Sequence, residues 1–249
     1  MTGTARKSLT SSFPLYGSVR HFIRILDGVA YELFRSTRKA IREHCGDYQH
    51  PASWKDPETW VPAYRTGSPN ALAYRLWRES EYGVNPRLLL GAWNLCVKHA
   101  LLRRTRRGFL AITEKGESFM DDPDGETVGR IDAHEGVLNL LQTLSQAGRA
   151  SSGDILRSFT EYCLQETTSR NPVTIKELLR MRLRNLVDRG YVSRSGQDSL
   201  LTDAGAEYLE RHRQLLEEQQ PVPPEEAQHH AGAPRPDGTT PSQEEGVQA

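Results

Sequence analysis

Cysteine is scarce in this chain: Cys45, Cys96 and Cys163 are the only three, far apart and without a Cys-x-x-Cys or His-partnered spacing. That argues against a structural zinc site and a disulfide framework. Long apolar runs are also missing, so neither a signal peptide nor a membrane span is expected, and the reading is a soluble, cytoplasmic protein with no membrane partner. The signatures of common catalytic sites are absent as well: no Gly-x-Ser-x-Gly, no Walker Gly-Lys-Ser/Thr, no His-Glu-x-x-His and no glycine-rich dinucleotide turn. The sequence therefore leans away from an enzyme, and no cofactor or metal is expected.

Net charge is absent only on average. The 32 basic residues equal the 32 acidic ones. Residues 1–120, however, carry 19 basic against 10 acidic side chains, 121–217 carry 12 against 16, and 218–249 carry 1 against 6. A basic first half points to a polyanionic partner for that half.

What the chain does have is a repeat. Leu95 to Met120 reads LCVKHALLRRTRRGFLAITEKGESFM, and Leu186 to Leu209 reads LVDRGYVSRSGQDSLLTDAGAEYL. Each passes from a helix end through a small residue (Ala100, Gly190) to an apolar pair and a turn. Each then resumes apolar, meets Thr-acid-x-Gly (Thr113 to Gly116, Thr202 to Gly205) and enters an amphipathic stretch. Physically this predicts a helix stopped by a left-handed cap, a two-stranded hairpin, and a helix opened by a Thr N-cap. Helix, hairpin, helix is the latter part of a winged helix-turn-helix. The expected fold is mainly α with small β-hairpins, as two tandem winged helix-turn-helix units.

The expected organisation is a flexible N-terminus over 1–18, a first winged-helix domain over 19–120, an acidic linker over 121–130, a second winged-helix domain over 131–217 and a disordered tail over 218–249. In the first domain, Val19, Phe22, Ile23, Leu26, Ala30, Leu33, Phe34 and Ile41 recur at helical spacing. Arg20, Arg24, Arg35, Arg38, Lys39 and Arg42 occupy the opposite side; a solvated face and a phosphate-facing one are equally open for them. Ser68-Pro69 and Asn85-Pro86 each open a helix, joined through Tyr82-Gly83, as in a helix-turn-helix. The second of these presents Arg87, Asn94 and Lys98 outward, and its N-terminal residues would lead into the major groove. In the second domain, periodic apolar residues predict helices over 133–146 and 152–166, and a third, capped by Asn171-Pro172-Val173-Thr174, whose Ile175, Leu178, Leu179, Leu183, Leu186 and Val187 face inward. Acids and a histidine at Asp132, His134 and Glu135 read as helix-end groups rather than a hydrolytic cluster.

The most informative polar stretch is Arg103-Arg104-Thr105-Arg106-Arg107-Gly108. Turns favour Gly, Asn, Asp and Ser, not four guanidinium groups, whereas the planar guanidinium suits phosphate. The candidate DNA contacts are therefore Arg87, Asn94, Lys98, Arg103, Arg104, Arg106 and Arg107 in the first unit. Thr174, Lys176, Arg180 and Arg194 are the second unit's candidates. Arg180 and Arg184 share a helix face and Arg182 lies on another, so some of these arginines should be internal partners of Glu161 or Glu166.

The run Asn85-Pro86-Arg87, Trp93, Leu101-Leu102, Arg107-Gly108-Phe109, Ile112-Thr113-Glu114 and Gly116 resembles the N-terminal winged-helix region of Mrr-type restriction endonucleases. The resemblance is best over 85–120 and echoed over 173–209. It implies a module that binds double-stranded DNA ahead of a nuclease domain. That nuclease needs an acid-or-Gln, any residue, Lys pair to hold Mg²⁺. Here the residues two before Lys7, Lys39, Lys55, Lys98, Lys115 and Lys176 are Ala5, Thr37, Ser53, Cys96, Thr113 and Thr174. The expectation is a double-stranded DNA-binding protein akin to the targeting module of a restriction system, acting with a nuclease or methyltransferase supplied by another chain. A winged-helix transcriptional regulator, which would be a homodimer on a palindrome, and a protein-interaction scaffold are the alternatives.

Overall fold

Leu101 and Tyr191 occupy the same place in two copies of one structural unit. The computed structural model describes residues 6–44, 68–79 and 89–218, with backbone alone for 42–44 and 68–70. The first copy holds helices α1 (Tyr16–Leu26), α2 (Tyr31–His44), α3 (Ser68–Arg78) and α4 (Leu89–Lys98). Strands β1 (Leu102–Arg104) and β2 (Leu110–Ile112) follow, then α5 (Glu114–Asp121). A connecting helix, α6 (Glu126–His134), leads to the second copy. That copy contains α7 (Val137–Ala147), β3 (Arg149–Ser151), α8 (Ser152–Glu166) and α9 (Pro172–Asp188), then β4 (Val192–Ser195), β5 (Asp198–Leu201), α10 (Asp203–Arg211) and α11 (Arg213–Glu217). The described chain is mainly helical, with small antiparallel hairpins. None of its described helices is long and apolar enough to cross a membrane.

The repeat predicted from sequence extends to individual hydrogen bonds. Helix α4 ends with Ala100 at φ 54° and α9 with Gly190 at φ 74°. The next amide reaches back across the turn each time, Leu101 N–H to the Cys96 carbonyl at 2.8 Å and Tyr191 N–H to Leu186 at 3.0 Å. Such caps satisfy carbonyls the helix end leaves open. Thr113 and Thr202 then act twice: each hydroxyl donates to the capping residue's carbonyl (Ala100 at 2.6 Å, Gly190 at 2.7 Å) and accepts from the amide three residues on (Gly116 at 3.0 Å, Gly205 at 3.1 Å). The glycine is dictated by the fit, because a Cβ on Gly116 would overlap the Leu101 carbonyl and one on Gly205 the Tyr191 carbonyl.

A further strand in the second copy, and a single bridge at the equivalent place in the first, escaped the sequence pattern. β3 pairs antiparallel with β5, giving the order β3-β5-β4. In the first copy Ala30 bridges Phe109, and the Gly28 N–H and Val29 carbonyl bond to the Leu110 backbone at 2.9 and 2.8 Å. Three residues are too few for an alternation to register in the sequence. Matching by these pairings, α1 corresponds to α7 and α2 to α8. Helix α3 packs along α2 and has no counterpart. The Tyr82-Gly83 turn, the Asn85-Pro86 cap and the tail beyond Glu218 lie outside the described residues.

Residues 6–15, within the stretch expected to be flexible, instead form an extended strap across both copies. Lys7 bridges Thr167, while Leu9 and Phe13 are buried anchors. Thr10 donates its amide N–H to Glu135 Oε2 and its hydroxyl to Oε1, both at 2.8 Å. Composition could not show this, since the strap is ordered by partners far along the chain. The acidic stretch 121–130 also departs from a plain linker, because Glu126 already opens α6.

Helix α6 is held to α9 by two buried ion pairs. Arg182 donates to Glu135 Oε2 at 2.7 Å and to the Glu135 carbonyl at 2.6 Å. Two turns along α9, Arg189 donates to Asp132 Oδ2 at 2.6 Å. Asp132 also accepts from Tyr16 at 2.7 Å and Tyr208 at 2.5 Å. The Arg189 guanidinium stacks among the rings of Tyr16, Tyr191 and Tyr208, 4.5 to 5.0 Å from their centroids. Asp132 and Glu135, expected at a helix end in contact with its dipole, are buried counter-charges. Arg182 finds its acid at Glu135, not at Glu161 or Glu166.

Candidate nucleic-acid interface

Among the described residues, the densest group of exposed cations sits on the first hairpin. β1 and β2 pair from Leu102↔Ile112 to Arg104↔Leu110. The tip is closed by Thr105, whose N–H donates to the Phe109 carbonyl at 2.7 Å and whose hydroxyl accepts the Phe109 N–H at 3.1 Å. Arg103, Arg104, Arg106 and Arg107 are all exposed, and no ion pair ties any of them to a described carboxylate. Arg104 lies over the Tyr31 ring, 4.8 Å from its centroid, which steadies one guanidinium at the base of the tip.

Helix α4 shows a mixed outer face. Leu90 and Val97 are exposed on either side of exposed Asn94. Lys98 turns inward, donating to Glu135 Oε1 at 2.7 Å and to the Ser8 carbonyl. Arg87 lies outside the described residues. Of the cations on α1 and α2, Arg20 is drawn onto the Phe119 carbonyl at 3.0 Å and Arg35 onto Glu32 at 3.0 Å, while Arg24 is exposed.

The second unit offers less positive charge. Thr174 sits in the first turn of α9, its amide capped by Asn171 Oδ1 at 3.2 Å. Lys176 and Arg194 are exposed. Arg180 forks onto Glu177 at 2.8 and 2.6 Å, a bond that raises the guanidinium pKa. The second hairpin tip carries Asp198, which accepts from Arg149 at 2.6 Å. A long face of α9 is unavailable, because Leu178, Arg182 and Asn185 are buried, the latter two bonded to the strap and α6.

His99, His134 and Glu135 bring three metal-ligating atoms within 4.8 Å of one another. Their surroundings do not suit a cation. Glu135 Oε1 already accepts from Thr10, Lys98 and His99, and Oε2 from Thr10 and Arg182. A divalent ion would have to displace Lys98 and then sit beside two fixed positive charges. The carboxyl is spoken for. Burial alone would push its pKa up; the bordering imidazoles of His134 and His99 and the charges of Arg182 and Lys98 outweigh that and hold it well below the usual carboxylate range.

The chain matches no family model, no curated protein and no solved structure. Function therefore rests on the geometry above. The sequence missed Lys115 and Arg130, which border a cleft with Lys98; they lie on α5 and α6, and no sequence spacing links those two helices to α4.

Proposed function

We propose that this chain binds double-stranded DNA, with both repeats acting as winged helix-turn-helix units and the first supplying the main grip on phosphate. The observation that carries the reading is the β1–β2 tip, where four exposed arginines stand without a carboxylate partner among the described residues. Guanidinium groups clustered on one hairpin without carboxylates to neutralise them are suited to a polyanion. Element order supports it too: the second unit runs helix, short strand, helix, helix, then a hairpin whose distal strand pairs back to the first, as expected of a winged helix, and the first unit echoes it through the Ala30–Phe109 bridge with one helix added. On the resemblance over 85–120, the chain is a targeting module of a restriction system that works with a nuclease from another polypeptide.

Fluorescence anisotropy with a labelled duplex across a salt series tests this. Affinity should fall steeply with salt, and Arg106→Ala with Arg107→Ala should make the log–log slope shallower by about 2. A duplex that fails to bind at low salt removes the reading. Plasmid incubated with Mg²⁺ should stay uncut.

The protein-interaction alternative draws on a different observation. Val173 and Val187 are exposed on the outer face of α9, which is not strongly basic. If the second unit meets a protein subunit, Val173→Asp should leave duplex affinity unchanged while abolishing co-purification of that subunit.

A further inference from the structure

Between the end of α4, the start of α5 and one side of α6 lies a cleft of about 240 Å³ lined by Lys98, His99, Lys115, Thr127, Arg130 and His134. Among the described residues, no carboxylate lines it. Its acids stand outside: Glu135 behind Lys98, and Glu126 and Glu218 against Arg130 at 2.7 and 3.9 Å. Lys115 has no described partner. The His134 Nδ1 atom is buried without a hydrogen bond, 3.8 Å from Glu135, and its ring meets that of His99 edge-on at 5.3 Å.

We propose that this cleft binds a phosphate group. Three independent features carry the assignment. Lys115 from α5 and Arg130 from α6 border one concavity, with Lys98 of α4, its ammonium held by Glu135, as a third lining cation, and lysine ammonium groups hold phosphate as point charges. Its volume is below that of a drug-sized pocket, so it suits an isolated tetrahedral anion rather than a large organic ligand. The site also adjoins the arginine-bearing hairpin, since a neighbouring cleft lined by Arg103, Glu114 and Glu117 shares Ala100 and Lys115 with it. Engaging Arg130 means competing with Glu126 and Glu218, exposed and solvent-screened pairs that are easily exchanged.

The phosphate could belong to a duplex backbone running past Arg103 or to a free phosphorylated molecule, and the two sources separate experimentally. The full chain is titrated by calorimetry with inorganic phosphate, with pyrophosphate and with a short duplex. The same titrations use Lys115→Gln/Arg130→Gln and Arg106→Ala/Arg107→Ala. Both altered pairs are exposed, and unfolding curves confirm that each variant folds. Saturable pyrophosphate binding that Lys115→Gln/Arg130→Gln weakens at least tenfold, with Arg106→Ala/Arg107→Ala unaffected, supports a site for a free phosphorylated ligand. Duplex binding weakened severalfold by Lys115→Gln/Arg130→Gln, without pyrophosphate binding, supports a backbone phosphate. Neither effect, in chains that fold, overturns the proposal. Pyrophosphate binding in a chain that ignores the duplex would sink the DNA reading and leave this one standing.

Discussion

Arg182 Nη2 donates to Glu135 Oε2 at 2.7 Å, and neither side chain has any exposed surface. Four of the five guanidinium N–H donors are used, since it also reaches the Leu178, Thr10 and Glu135 carbonyls. Removing one member of a buried pair leaves the other charge without compensation. Arg182→Leu is expected to lower unfolding free energy by about 3–5 kcal/mol in a urea titration. Glu135→Leu combined with Arg182→Leu should cost less than the two single losses added, which a double-mutant cycle would read as coupling.

The same carboxylate sets an acid limit. Its pKa is depressed in the folded chain, so its contribution is complete above the unfolded value of about 4.3 and is lost as pH falls from there toward the folded value. The difference in Tm between the parent chain and Glu135→Gln should hold steady above about pH 5 and narrow below about pH 4. A difference that grew on acidification would contradict this sign.

The equivalent caps at Ala100 and Gly190 invite a swap. Ala100 sits at φ 54°, where a side chain costs roughly 1–2 kcal/mol and glycine does not. Ala100→Gly is expected to stabilise the chain by about 0.5–1 kcal/mol, the gain being trimmed by the entropy of glycine in the unfolded state. Gly190→Ala should destabilise it by about 1–2 kcal/mol. Thermal unfolding of the two variants, measured side by side, should show shifts of opposite sign.

Pairing also ranks the arginines. A phosphate that takes Arg180 must displace Glu177, whereas the Arg106 and Arg107 groups have no described carboxylate to give up. Arg180→Ala should therefore change the salt slope of duplex binding less than Arg107→Ala does. An equal or larger effect from Arg180 would shift the main contact to the second unit.

Which features the sequence reveals depends on how local their causes are. Thr113 and Thr202 were readable as caps because the bond each accepts spans three residues. The mainly helical fold and the antiparallel hairpins followed from periodicity and turn chemistry of the same short range. The exposed arginines of the tip were legible because a hairpin turn has few places to hide a side chain. Asp132, Glu135 and Arg182 were not, since their partners lie tens of residues away and a lone charge on a helix looks alike whether solvated or buried. Thr10 contacts Glu135 across 125 residues and Arg182 across 172, and no pattern in the N-terminal segment announces that. The cleft shared by Lys98, Lys115 and Arg130 was hidden for the same reason.

The strap has a consequence for how the protein is made. On the ribosome, Thr10 emerges early, but the side chain that accepts its bonds comes much later, and the Arg182 that neutralises that side chain later still. The bonds from Arg182 to the Thr10 carbonyl and from Asn185 to the Pro14 carbonyl can therefore form only after α9 has left the exit tunnel. Synthesis delivers the two repeats in sequence, yet the first reaches its final packing only with the second.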